Sequence, residues 1–432
     1  GPASDGRSMR ISGQKRIFEG GLTETKRPAE YASCSTSESV GAQEEQRAER
    51  HYIMRVDDRF DGDRYRVIKQ LGKGTFGRVV EMWDELEQSH VAVKVVRAVE
   101  KYSREAEIEA EILLEVQKDA TLDLPIGRLV RRFSSQGHCC LVFNKLGPSL
   151  YHALRGVKRE AERRSRGKAL YAGRFFSLAQ ISRVALDCFQ TLAHLHSIKL
   201  AHTDLKPENI LFTAAGRPDV TSGTAGLAII DFGGATWEHE HHSSIVCTRQ
   251  YRPAEVTLGA SWDSSVDLWS MGCILAELWT GGVLFSTHDE VEHLALMERT
   301  LGSLPPGLVR RASGRKMEKN FRHGTLRWPD RAYDRTSEAH VRAQPRLKDA
   351  LRGEPHIAPL RWSKQLADFY DLLWRLLEYE PEDRLSAVDA LKHPFVVAAA
   401  VMASGGGAGG GAPPPLESSA SRSADRQLPV PL

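Results

Sequence analysis

Apolar residues change their spacing along the chain in a consistent order. Tyr65-Arg66-Val67-Ile68-Lys69-Gln70-Leu71 alternates apolar and polar positions, the period of a strand with one buried face. Arg78-Val79-Val80-Glu81-Met82-Trp83 is β-rich and reads as the return strand of a hairpin. Val91-Ala92-Val93-Lys94 alternates again. Glu105 to Glu115 is an acidic helical stretch, and Gly137 to Leu146 is a short apolar strand running into a turn. From Phe176 to His196 the spacing becomes helical, with Ile181, Val184, Ala185, Cys188, Phe189, Leu192 and Leu195 on one face. Asp267 through Leu278 carries few charges and predicts a helix buried on all sides. Strands come first and helices after.

Several stretches fit neither period. Residues 1 to about 50 are rich in Ser, Glu, Arg and Gly, and a disordered tail is expected over 1–60. Gly1-Pro2 reads as the scar of tag removal, and no signal peptide is visible. Residues 155–174 hold eight Lys/Arg against two Glu, which predicts a mobile surface loop or a docking surface. Residues 305–352 hold 13 Lys/Arg against five Asp/Glu and read as a second basic insertion. From 399 to 432, runs of Gly, Pro and Ser mark a flexible tail.

Composition adds little to this picture. The 432 residues, 41% hydrophobic, suffice for one large two-lobed domain with tails. The net charge of +3 predicts no partner. There is no apolar run of 18 residues, so no membrane span is expected. The six cysteines (Cys34, Cys139, Cys140, Cys188, Cys247, Cys273) form no C-x-x-C pair, which points to a reducing compartment.

The chemistry lies between the strands and helices. Gly72-Lys73-Gly74-Thr75-Phe76-Gly77-Arg78-Val79 is a G-x-G-x-x-G-x-V turn whose glycines let backbone approach phosphates. A dinucleotide fingerprint would open a helix here, whereas this turn opens a strand. His202-Thr203-Asp204-Leu205-Lys206-Pro207-Glu208-Asn209 resembles the catalytic loop of protein kinases, and Ala228-Ile229-Ile230-Asp231-Phe232-Gly233 follows it. The resemblance implies the roles. Asp204 accepts the proton of the attacking hydroxyl, Lys206 steadies the transferring phosphoryl group, and Asn209 and Asp231 hold Mg²⁺. Lys94 pairs with the phosphates of ATP and needs a carboxylate. Glu109 is the choice, with Glu105 and Glu111 as rivals. Leu71, Val79 and Ala92 line the nucleotide cleft, Phe143 backs it, and the backbone of Asn144 to Leu146 meets the adenine. Asp231 to Glu255 spans 25 residues, carries Thr236, Ser243, Ser244, Thr248 and Tyr251, and resembles an activation segment. Arg384 is the expected buried partner of Glu255, and Asp267 is expected to accept from the catalytic-loop backbone.

Residues 65–395 thus resemble a eukaryotic protein kinase: an α+β, bilobal fold. The β-rich N-lobe would span 65–142, the hinge 143–147 and the mainly helical C-lobe 148–395. Within that class the chain is similar to the CDC-like, or LAMMER, kinases of the CMGC group. Glu292-His293-Leu294-Ala295-Leu296-Met297-Glu298-Arg299-Thr300-Leu301-Gly302 differs from the signature at Leu296 and Thr300. Thr203 stands where most kinases have Arg, and Phe321 to Trp328 resembles the family's insert. The resemblance implies Ser/Thr phosphorylation, with Tyr autophosphorylation as an extension. It also implies nuclear location, with some cytoplasmic presence, and protein substrates that are splicing or chromosome factors. Those substrates would be Arg/Ser-rich, acidic or already phosphorylated. No nucleic acid or membrane partner is expected, and the chain is expected to be a monomer. Only Ser419 to Ser423 hints at the Arg-Ser-rich region of family members. The alternatives are a pseudokinase scaffold and a dual-specificity Tyr-regulated kinase, which lacks the LAMMER-like stretch.

Overall fold

The structure is a computed structural model and describes residues 50–398, apart from 120–123, 165–174, 214–225, 241–242, 244, 288 and 353–361. The alternating segments pair as predicted. β1 (Arg59–Phe60), β2 (Tyr65–Gly74), β3 (Gly77–Asp84), β4 (Ser89–Val96), β5 (Leu129–Ser135) and β6 (His138–Asn144) form one antiparallel sheet in the order β1-β2-β3-β4-β6-β5. Period two sorts its side chains between two cores. Val80, Val93, Val95, Cys140 and Val142 pack on one face with Tyr65 and Phe133. Cys139 and Leu141 point the other way, into a cluster that continues under α1 (Glu100–Val116) and through the C-lobe.

The C-lobe is built on α3 (Leu178–Ser197) and α5 (Val266–Thr280). α3 starts where the sequence allows a capping box. Ser177 Oγ accepts from Gln180 N–H and the Gln180 side chain accepts from Ser177 N–H. Its predicted apolar stripe is the buried face. α5 is buried along nearly its whole length, as its lack of charge predicted. The hinge is the short passage from Phe143 to Gly147, whose N–H donates to Phe212 O at 2.7 Å.

Two expectations are corrected, and the second basic insertion proves to be folded. The N-terminal tail does not extend to residue 60: Tyr52 and Phe60 are buried and stack edge to face at 5.1 Å. Asp57 N–H and Val67 N–H exchange hydrogen bonds with Val67 O and Asp58 O, adding this segment to the sheet edge. Residues 1–49 and 399–432, with both expected tails, lie outside the described residues. Much of 155–174 is not a loop, because α2 spans Leu150–Arg164. Leu150, Leu154 and Ala161 recur at helical spacing and enter the core, while Arg159 and Arg163 are exposed. The 305–352 insertion is folded as well. After α4 (Ala254–Leu258) and α6 (Glu290–Leu301) it forms α7 (Pro306–Arg311), α8 (Gly314–Asn320), a Phe321–Leu326 hairpin, α9 (Arg335–Ala343) and α10 (Leu347–Arg352). Leu308, Val309, Phe321, Leu326, Val341, Leu347 and Leu351 anchor it.

Candidate active site

The glycine turn closes β2 against β3, with Gly74 paired to Gly77. A Cβ on Gly77 would meet Val95 O at 2.3 Å, so only glycine lets β3 cross so close to β4. Nothing lies within 4 Å of a Cβ placed on Gly74, which faces open space. Gly72 pairs with Val79 across the same hairpin. Leu71, Val79 and Ala92 are half-buried below it, and Ala92 pairs with the half-buried Phe143. Asn144 N–H is already engaged by Arg128 O at 3.4 Å, and Lys145 Nζ donates to Leu146 O.

Lys94 projects from β4, and of the three candidate glutamates it meets Glu109. Its ammonium lies 3.0 and 2.7 Å from the two carboxylate oxygens and 3.1 Å from Asp231 Oδ1. Glu109 shares its helix face with Ala106, Ala110, Leu113 and Val116, whereas Glu111 is exposed. That stripe sets Glu109 apart from Glu111, whereas Glu105, one turn earlier on the same face and half-buried, is set apart only by the fold. Burial alone would lower the Lys94 pKa, but attraction to Glu109 and Asp231 raises it, so the ammonium stays charged. Lys94 in turn holds the Asp231 carboxyl below its ordinary value, against the effect of burial.

Asp231 takes a left-handed backbone, φ 66°, and begins a short 3₁₀ turn, Phe232–Gly234. Phe232 is buried beneath it, edge-on to His202 at 5.1 Å. The catalytic-type loop is held from below by Asp267, as expected. Its two oxygens accept from His202 N–H and Thr203 N–H, each at 2.8 Å. His202 Nε2 meets Ile230 O at 3.0 Å and links this loop to the strand before Asp231. Asn209 Nδ2 donates to Asp204 O at 2.9 Å, which leaves its amide oxygen as an acceptor.

Asp204 stands at the centre. Lys206 Nζ lies 2.6 Å from Oδ2, and Thr248 Oγ1 donates to Oδ1 at 2.6 Å. Lys206 also donates to Thr248 Oγ1 at 3.2 Å. Sequence reasoning placed Thr248 among possible phosphorylation sites and missed this contact. Its signal was its place in the segment, but only folding brings residues 204 and 248 together. Tyr251 is likewise not an accessible hydroxyl, since it is buried and donates to Glu277 Oε2 at 2.7 Å. Ser244 lies outside the described residues.

The segment is tied down by two arginines. Arg384 makes two contacts to Glu255, at 2.8 and 3.1 Å, with both side chains buried. Arg252 donates to Val246 O and Cys247 O, each at 2.8 Å. Thr203 does not face the segment's exposed stretch. Its hydroxyl donates to Gly234 O at 2.7 Å.

A two-lobed α+β fold with a charged lysine–glutamate pair above and an aspartate–lysine–threonine cluster below defines a protein kinase. The protein kinase domain family matches residues 65–396. The chain belongs to that family and, within it, to the CDC-like LAMMER kinases, and it is an enzyme of the serine/threonine kinase class. It is 39% identical over 361 residues to serine/threonine-protein kinase AFC3 of Arabidopsis thaliana, covering 80% of this chain and 84% of the relative. Dual specificity protein kinase CLK2 of Homo sapiens is 35% identical over 361 residues, covering 81% and 66% of the two chains. A solved kinase-domain crystal structure superposes with a TM-score of 0.69 at 33% identity, covering 80% of this chain and 99% of the other.

Proposed function

We propose that Asp204 receives the proton of the attacking Ser or Thr hydroxyl while Lys206 and Lys94 offset phosphate charge. The observation that carries this reading is the Asp204 carboxylate held at 2.6 Å by Lys206 on one oxygen and by Thr248 on the other. Two fixed donors set its direction, so an incoming hydroxyl meets an oriented acceptor. In the transfer, the hydroxyl oxygen bonds to the γ-phosphorus of ATP and the bond from that phosphorus to the bridging oxygen breaks. ADP departs and the hydroxyl proton passes to Asp204. Lys94, anchored by Glu109, holds the phosphates.

The residues present also fit a divalent ion. Asp231 keeps an ionised carboxylate open to the cleft, its side chain 43% exposed, and Asn209 offers a carbonyl oxygen. Hard oxygen donors in so small a number suit Mg²⁺, which keeps waters and binds substrate phosphates as well. Asn209 and Asp231 would hold it, and it would supply charge neutralisation at the phosphates.

Nuclear proteins are the proposed substrates, Arg/Ser-rich or chromosome-associated, and Tyr autophosphorylation the proposed extension. The LAMMER-type membership and the dual-specificity name of the human relative support this. Asp204→Asn tests the central assignment. It should keep the fold and nucleotide binding and lower kcat on a generic Ser/Thr substrate by about 10²–10⁴-fold. A near wild-type rate would overturn it.

A further inference from the structure

The turn that carries Thr248 continues into a cluster of cations that phosphoryl transfer does not use. Arg249 follows Thr248 directly. Gln250 Nε2 donates to Thr287 O at 3.3 Å, which lays this turn against the start of α6. Glu290 is the first residue of α6. Around it gather Lys316, which forms an ion pair with it, Lys319 at 3.8 Å, and Asn320, whose amide donates to it at 2.7 Å. α8 reaches this place because Ser313 N–H bonds Leu258 O, and Lys316 lies beside Gly259 just after α4. Arg252 and Arg249 complete the cluster, and the buried His293 feels the charge of both.

The charges do not balance. Four cations, Arg249, Arg252, Lys316 and Lys319, stand against three carboxylates, Asp289, Glu290 and Glu292, and of these only Glu290 pairs with a cation of the cluster. Asp289 and Glu292 keep their charge but turn their oxygens to neutral donors, since Asp289 accepts from Val291 and Glu292 N–H, and Glu292 accepts from Thr287 and Ser337. Arg252 is committed to segment carbonyls. Arg249 makes no ion pair among the described residues, and the Lys319 side chain is half exposed. The surplus cation thus lies next to Thr248, the residue that contacts Asp204.

We propose that Arg249, Lys316 and Lys319 form an anion subsite for the peptide substrate. It takes a carboxylate or phosphate on a residue flanking the acceptor. Glu290 pairs with the two lysines in the free protein and competes with the ligand for them. This rests on the kinase reading above and adds to it a determinant of substrate choice. The function belongs to the folded α8 insert, whose lysines sit against the start of α6 and the end of α4 rather than in a detached loop.

The test uses the full chain, freed of its own phosphate by phosphatase that is then removed. Peptides share one Ser acceptor and differ at single flanking positions, which carry Gln, Glu or phosphoserine. At low salt, Glu or phosphoserine at one or more positions should lower KM by about threefold to fivefold relative to Gln. High salt should erase the gain. Lys316→Ala/Lys319→Ala should bring the acidic-to-neutral ratio of kcat/KM close to one. Lys319→Ala alone, at an exposed position, should reduce it part of the way. Glu290→Gln should enlarge the ratio by removing the competitor. The larger of the Glu and phosphoserine effects identifies the natural ligand. Equal KM values for Gln, Glu and phosphoserine peptides at every position would overturn the subsite, as would a preference that survives the double substitution. A chain that phosphorylates none of the peptides, the Gln set included, would overturn the kinase reading and the subsite with it.

Discussion

Thr248 is the residue whose meaning changed most between sequence and structure. As a letter in a segment with Ser243 and Ser244 it is one more acceptor hydroxyl. In the fold it bridges Asp204 and Lys206, with donor–acceptor distances of 2.6 and 3.2 Å. A hydrogen bond to a charged group is worth about 1.5–3 kcal/mol, so removing it costs about ten- to a hundredfold in rate if it acts in the transition state. Thr248→Val should therefore lower kcat by that order with KM for ATP little changed, and Thr248→Ser should restore most of it. A Val variant with wild-type kcat would show that Asp204 is oriented without it. Asp204, Lys206, Asn209, Lys94 and Asp231 were legible because each role accepts few side-chain types at a fixed place in a short motif. Glu109 was legible only as one of three, because choosing among acidic residues on a helix requires knowing which face is buried. Thr248 was not legible in its role, since contacts across 44 residues leave no local pattern.

At the scale of elements, strands were easier to read than basic helices. β2 to β4 announce themselves by alternation, and α5 by its lack of charge. α2 was hidden because its cations dominate composition while its apolar residues mark only one face. The activation segment is the element whose behaviour follows most directly from its contacts. Most regulated kinases place an Arg before the catalytic Asp, where it binds a segment phosphate and ties order to phosphorylation. Here Thr203 is buried and its hydroxyl is committed to Gly234 O. The segment is instead fixed by Arg252 on its carbonyls and by the Glu255–Arg384 pair, none of which needs a phosphate. Phosphatase treatment, with loss of phosphate checked by mass spectrometry, should lower the initial rate by less than tenfold. A hundredfold fall in kcat, about 2.7 kcal/mol of barrier, would mean that a phosphate switch operates despite Thr203.

At the scale of the whole molecule, the boundary of the folded unit lies earlier than the hydrophobic pattern indicates. Sustained alternation begins at Tyr65, and the mainly charged run 57–64 separates it from the apolar residues Tyr52, Ile53, Met54 and Val56. Yet Tyr52 closes over Phe60, its hydroxyl donates to Asp58 at 2.6 Å, and both rings join the N-lobe core beside Val67 and Val80. Tyr52, Met54 and Val56 alternate over too few positions to announce a strand, and Phe60 stands alone after two aspartates. Burial of the Tyr52 and Phe60 rings is worth about 1.5–3 kcal/mol each. The sheet they cover carries Lys94 and the glycine turn, so its stability bears on nucleotide binding. A chain starting at residue 61 should unfold a few degrees below one starting at residue 50, since a domain this large shifts by less than the ~2–4 °C per kcal/mol of a domain of about 150–250 residues. The shorter chain should also bind ATP more weakly, and the rise in Tm on adding ATP with Mg²⁺ should be smaller for it at equal ligand concentration. Equal melting temperatures and equal ATP shifts for the two chains would show that residues 50–60 rest on the N-lobe without supporting it.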